Sequence, residues 1–236
     1  MKNVSIFVLT VALIAHTAWC VHAATAADNG GKAAEAPAGA AQPATSPVEL
    51  WPDPAKVTFE KFESPEGKFS VSVPVGWDRI KSYPYKTDDT VSGIMLEGPE
   101  NMEGAPMNIA ALYYAGTGKI KGADEYINKV LANPTRYDVK KPIQFSEVEV
   151  AGKKGKAFTF TKFHVVILPF DGPPMEGGVM YDMGGPSKRV TMIVRYVVIP
   201  VPPGFYSFSY EAPEDMYKDF TGVFDTVVKS FVCQEK

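Results

Sequence analysis

The chain has 236 residues, of which 45% are hydrophobic, 12% aromatic and 22% charged, so it holds ample material for a packed core and is not disordered throughout. Its 24 Lys and Arg against 27 Asp and Glu give a formal net charge of -3. A nucleic-acid partner is not expected, because such binders carry a basic excess or stripe.

Residues 1–23 open with Lys2, run almost without polarity from Ile6 to Ala15, and end in Val21-His22-Ala23 before Ala24. A positive start, an apolar stretch and small residues at the end are the order of a secretory signal peptide, which predicts export to the periplasm or the medium. Ser5, Thr10, His16 and Thr17 interrupt the apolar run, which falls short of the roughly 20 apolar residues of a membrane span. No transmembrane span is expected in the mature chain. Cys20 raises the alternative of a lipid-anchored protein, but the bulky Trp19 before it argues against anchoring there. Cleavage after residue 23 would leave Cys233 as the single cysteine, unable to form an internal disulfide.

Residues 24–47 are almost wholly Ala, Gly, Pro, Ser and Thr. Such a segment buries too little surface to offset its ordering entropy, so it reads as a disordered linker. One globular domain is expected over 48–236. Residues 56–62 and 69–73 alternate apolar with polar around a turn-forming Pro65-Glu66-Gly67-Lys68, which predicts an opening hairpin. Strands are expected at 91–96 and 107–115. The spacing of Tyr126, Ile127, Val130 and Leu131 predicts an amphipathic helix over 123–131, stopped by Asn133-Pro134.

Strand patterns return at 145–150, 156–163, 189–198 and 205–210, with Lys153-Lys154-Gly155 as the expected tip of a hairpin. Pro213-Glu214-Asp215 reads as the start of a final helix whose Tyr217, Phe220, Phe224, Val227, Val228 and Phe231 form one stripe against the sheet. A run of strands with one helix in the middle and one at the end predicts an antiparallel α+β fold with helices packed on the sheet faces, an α/β/α sandwich.

Two passages together carry a family resemblance. Phe69-Ser70-Val71-Ser72-Val73-Pro74-Val75-Gly76-Trp77 is similar to the opening of PsbP-like domains, and Tyr206-Ser207-Phe208-Ser209-Tyr210-Glu211-Ala212-Pro213, with Tyr217 and Lys229-Ser230-Phe231, resembles their last strand and helix. The likeness covers roughly 57–78 and 204–232. It implies Pro74 and Gly76 turning the chain, Trp77 covering a core edge and Phe231 anchoring the last helix. It further implies a mostly non-catalytic, extracytoplasmic protein that binds and stabilises larger assemblies. Nothing in the residues ties the chain to a photosystem, and neither a photosystem role nor any metal site is carried over from the resemblance.

Catalytic groupings are scarce. His164 is the only histidine outside the predicted signal, no Gly-x-Ser-x-Gly turn is present, and Gly116-Thr117-Gly118-Lys119 lacks the spacer and trailing hydroxyl of a phosphate loop, so it reads as a hairpin turn. The acidic pairs at Asp88-Asp89 and between Glu97 and Glu103 lack calcium-loop spacing and read as solvated. No cofactor is expected, and the chain is read as a non-enzyme.

The most unusual stretch is 169–188, rich in Gly and Pro and carrying three methionines. A loop of that length in a compact domain is commonly either functional or disordered, and a plain mobile loop stays open as a reading. Phe170, Met175, Met180, Tyr181 and Met183 are the expected contacts for a partner, another envelope or secreted protein. The alternative is a soft-metal or small-ligand site at Met175, Met180 and Met183, whose thioethers suit cuprous copper. Pro200-Val201-Pro202-Pro203-Gly204 reads as a stiff turn, with polyproline docking as its alternative.

Overall fold

The alternation of residues 56–62 and 69–73 is realised as β1 (Phe59–Glu63) paired antiparallel with β2 (Phe69–Pro74). The protein is represented by a computed structural model that describes residues 51–80, 90–132, 142–168 and 187–234. The predicted signal and linker lie outside these residues. Buried Ser64 organises the turn, since its Oγ accepts from the amides of Lys68 and Phe69 at 2.8 and 3.2 Å, and Gly67 supplies the positive φ of 60°. Residues 54–56 form a short 3-10 turn, so the first strand starts at Phe59 rather than at Lys56.

Seven further strands and one helix follow: β3 (Asp78–Arg79), β4 (Val91–Glu100), β5 (Pro106–Tyr114), α1 (Ala123–Leu131), β6 (Phe145–Val150), β7 (Lys153–Ile167), β8 (Ser187–Val201) and β9 (Gly204–Pro213). The chain then forms α2 (Tyr217–Lys229) and a two-residue β10 (Val232–Cys233). All pairings are antiparallel, in a sheet of order β3-β4-β5-β9-β8-β7-β6 and a smaller one of order β1-β2-β10.

The large sheet has an apolar row on each face, as the two-residue period of its strands requires. On one face Ile109, Ala111, Val197, Phe208 and Tyr210 meet Phe220, Val223, Phe224 and Val227 of α2, together with Phe69 and Val71 of the small sheet. Phe231 packs there too, edge-on to Tyr206 at 4.8 Å and Phe208 at 5.2 Å. On the other face Ala110, Leu112, Phe160, Val194 and Val198 receive α1. That helix buries only Ile127 fully. The class is therefore antiparallel α+β. The expected sandwich is sheet-dominated instead, because α1 is a thin cover and α2 shares its layer with three strands.

Four local expectations are corrected. The β6–β7 turn is Ala151-Gly152, both at positive φ, while Lys153 already pairs with Val150. Gly155 sits within β7, where a Cβ would stand 2.7 Å from the Val198 carbonyl oxygen. Pro213 closes β9, and the Glu214 amide continues the ladder to the Thr191 carbonyl at 3.0 Å, which delays the helix to Tyr217. Residues 116–119 connect β5 to α1 rather than closing a hairpin. Residues 187 and 188, read as loop, begin β8.

Candidate interaction surface

β7 and β8 are fifteen residues each, longer than the strands beside them. The β6 register ends at Phe145 opposite Phe158, and the β9 register ends at Pro213 opposite Met192. Residues 164–167 and 187–190 remain paired with each other beyond those points, forming a two-stranded ribbon at one end of the sheet.

One face of the ribbon is anchored. Val166 packs with Val190, Met192 and Ala105, the last from the β4–β5 turn. Asn101 shapes that turn: its Oδ1 accepts from the amides of Glu103 and Ala105 at 3.1 and 3.0 Å, and its Nδ2 donates to the Asp215 carboxylate at 3.3 Å. Glu103 in turn pairs with Lys188 at 2.6 Å. The alternation that turns Val166 inward turns Val165 and Ile167 outward. They are 52% and 64% exposed, followed by Leu168 at 39%. The Arg189 guanidinium lies 5.8 Å from the centre of the Phe163 ring.

Seven large apolar side chains are exposed among the described residues, and four of them, Met102, Val165, Ile167 and Leu168, belong to this ribbon and the turn that braces it. Scattered exposed apolar groups are ordinary on a protein surface, whereas a contiguous set marks a contact region.

The expected contact residues Phe170, Met175, Met180, Tyr181 and Met183 belong to the segment that joins β7 to β8 and lie outside the described residues. The methionine-ligand alternative lies outside them as well. Sequence reasoning missed Val165, Ile167 and Leu168 because they fall between the strand expected at 156–163 and the loop expected at 169–188, and an apolar run alone does not report exposure. The signal that could have exposed them is the polar Ser187, Lys188 and Arg189 on the returning strand, opposite Ile167, Val166 and Val165.

His164 lies at the base of the ribbon opposite Val190, and its imidazole makes no hydrogen bond among the described residues. No group of three or more His, Cys, Asp or Glu among them is placed to hold a metal ion. Half-buried Cys233 has its Sγ 3.3 Å from the Tyr206 hydroxyl. Among the described residues the ionisable groups with displaced pKa values are Tyr113, Tyr210 and Tyr217, all raised chiefly by burial, and none of the three belongs to the ribbon. The 202–203 peptide bond is cis, within a two-residue hairpin joining β8 to β9.

No protein-family model and no curated protein sequence matches the chain. Among solved structures it is similar to cyanobacterial PsbP from Synechocystis sp. PCC 6803, at 11% identity over 81% of this chain and 99% of that one, with a TM-score of 0.42. It is similar also to the Ran-binding protein Mog1p of Saccharomyces cerevisiae, at 12% identity over 75% and 96%, with a TM-score of 0.41. A third is LpqN, involved in cell envelope biogenesis of Mycobacterium tuberculosis, at 15% identity over 76% and 92%, with a TM-score of 0.35. None of these likenesses assigns a role to a residue of this chain.

Proposed function

We propose that this is an exported, non-catalytic binding protein that holds or stabilises another envelope or secreted protein through the projecting end of its large sheet. The observation that carries this reading is the outward row of Val165, Ile167 and Leu168 on a ribbon whose opposite face is fixed by Val166, Val190 and Ala105. An apolar surface on a braced support loses little conformational entropy on binding. The signal-like residues 1–23, followed by an Ala-, Gly- and Pro-rich segment that reads as a tether, support action outside the cytoplasm.

The test places a photo-crosslinking amino acid at position 167 and, as a control, at exposed Gly222 of α2 in the full chain expressed in cells. One discrete adduct from position 167, absent from position 222 and lost in the Val165→Ser variant, is expected. Adducts that are equal at both positions, or absent at 167, overturn the reading. Export is checked on the same material by N-terminal sequencing, with Ala24 as the expected first residue.

A further inference from the structure

α1 leaves part of the sheet face beneath it open. Ile127 is its one fully buried residue, whereas Tyr126 and Val130 are half-buried. Beside the helix a cavity of about 550 Å³ opens over β4, β5 and β9, within the range of about 300 to 1,000 Å³ that small-ligand sites occupy. Met95, Ala110, Leu112 and Ser209 line its sheet side. Ile120, just before α1, lines the other side with Tyr126 and Val130. The register puts the four sheet residues on one face: Met95 stands opposite Ala110, Ala110 opposite Ser209, and Leu112 follows Ala110 at the two-residue period. That face is the one that receives α1.

Two polar groups in this lining have no partner. Ser207, two residues before Ser209 and on the same face, donates to the Tyr126 hydroxyl at 3.0 Å, but the half-buried Ser209 hydroxyl makes no hydrogen bond among the described residues. Exposed Lys129, in the last turn of α1, stands at the rim and forms no ion pair among them. The acidic residues of α1 are engaged elsewhere, Asp124 with Lys156 at 3.0 Å and Glu125 with the Lys121 amide at 3.0 Å. The Tyr114 and Tyr126 rings pack on Phe205 at 4.6 and 5.2 Å, so the wall beyond them is mainly aliphatic.

We infer that this cavity binds an alkyl carboxylate, its chain lying over Met95, Leu112 and Val130 and its head group held by the Lys129 ammonium, with the Ser209 hydroxyl as a second donor. The aliphatic lining selects the body of the ligand, because burying an alkyl chain there removes apolar surface of both ligand and protein from water. The uncompensated cation at the rim selects an anionic head over a neutral one. A few polar groups converging on an apolar cavity is the usual composition of a small-molecule site. The inference rests on the α1 face and does not depend on the ribbon.

The test titrates the full-length protein, labelled at its methionine methyl groups, with dodecanoate below its micelle concentration and with dodecanamide, which has the same chain but no charge. The readout is the Met95 methyl signal, identified with Met95→Leu. A saturable shift is expected with dodecanoate, weakened about fivefold for dodecanamide and in Lys129→Met, as loss of one exposed ion pair implies. Ser209→Ala should weaken it by a similar factor, as loss of one hydrogen bond implies. Val130→Trp, which fills the cavity, should abolish it. No saturable shift at Met95, equal affinity for the two ligands, unchanged affinity in Lys129→Met or Ser209→Ala, or binding that survives Val130→Trp overturns the inference. If Val130→Trp melts well below the wild type, Ile120→Trp replaces it under the same criterion.

Discussion

The Tyr210 hydroxyl donates to the Tyr217 carbonyl oxygen at 3.0 Å, closing the middle of β9 onto the first turn of α2. The two rings stack at 5.2 Å, and Tyr210 has no exposed surface. Burial, reinforced by Tyr217 and Asp219, pushes the Tyr210 pKa far above its ordinary value of 10.0. Tyrosine is neutral when protonated, so above pH 10 the unfolded chain releases a proton that the native state retains. The stability linked to this group is complete below pH 10 and declines as pH rises beyond it. Thermal unfolding between pH 7 and 11 should show that decline, with a shallower slope in Tyr210→Phe. At pH 7 the variant should lose about 1 kcal/mol, the net value of one hydrogen bond. An unchanged alkaline slope would place the sensitivity at other residues.

Gly222 lies on the exposed side of α2, and nothing stands within 4 Å of where its Cβ would be. Glycine in a helix interior costs roughly 0.5 to 1 kcal/mol relative to alanine, mainly through the freedom it gives the unfolded chain. Gly222→Ala should therefore raise the urea midpoint by an amount equivalent to that figure. A lower midpoint would mean that the α2 backbone departs from regular helix there.

The opposite result is expected at Gly204. A Cβ there would stand 1.8 Å from the Tyr114 carbonyl oxygen, and one at Gly116, whose φ is +74°, would stand 2.1 Å from the Pro203 carbonyl oxygen. These two glycines let the β8–β9 turn lie against the end of β5. Gly204→Ala forces backbone atoms apart and should cost more than about 2 kcal/mol by urea unfolding. A near-neutral variant would show that the turn can move without loss.

What could be read from the sequence was the structure that neighbouring residues determine. The helix at Ala123–Leu131 has the bounds its apolar spacing predicts, and the first hairpin follows from alternation around Gly67. The aromatic stripe of α2 does meet the sheet, and Phe231, just beyond the helix, joins that core. β3 and β10, two residues each, escaped notice because pairing with β4 and β2 defines them, and no two-residue pattern can report a partner so far along the chain. Trp77 was legible as a cover for a core edge, but its seat over Gly98 exists only once the β3–β4 register is set. The ribbon escaped because hydrophobicity does not distinguish a strand that is packed from one that outruns its neighbours. Length relative to β6 and β9 makes that distinction, and length is settled by tertiary pairing.

On the α1 face of the sheet, Lys162 Nζ lies 2.7 Å from Glu211 Oε1, with the side chains 22% and 19% exposed. Lys162 stands opposite Met192 and Glu211 opposite Val194, so the lysine reaches across β8 to a carboxylate two strands away. Both charges sit over an apolar row that screens them from most of the solvent, and each depends on the other for compensation. Removing one partner leaves a poorly solvated charge, whereas removing both leaves a surface like the rest of that row. Lys162→Met is therefore expected to cost about 1 to 3 kcal/mol. The double variant Lys162→Met, Glu211→Leu should recover most of that loss. Urea unfolding of the wild type, both single variants and the double variant closes the cycle, and strong coupling between the two positions is the expected result. Additive single effects would mean that water already compensates each charge and that the pair adds nothing to the hold of β7 on β9.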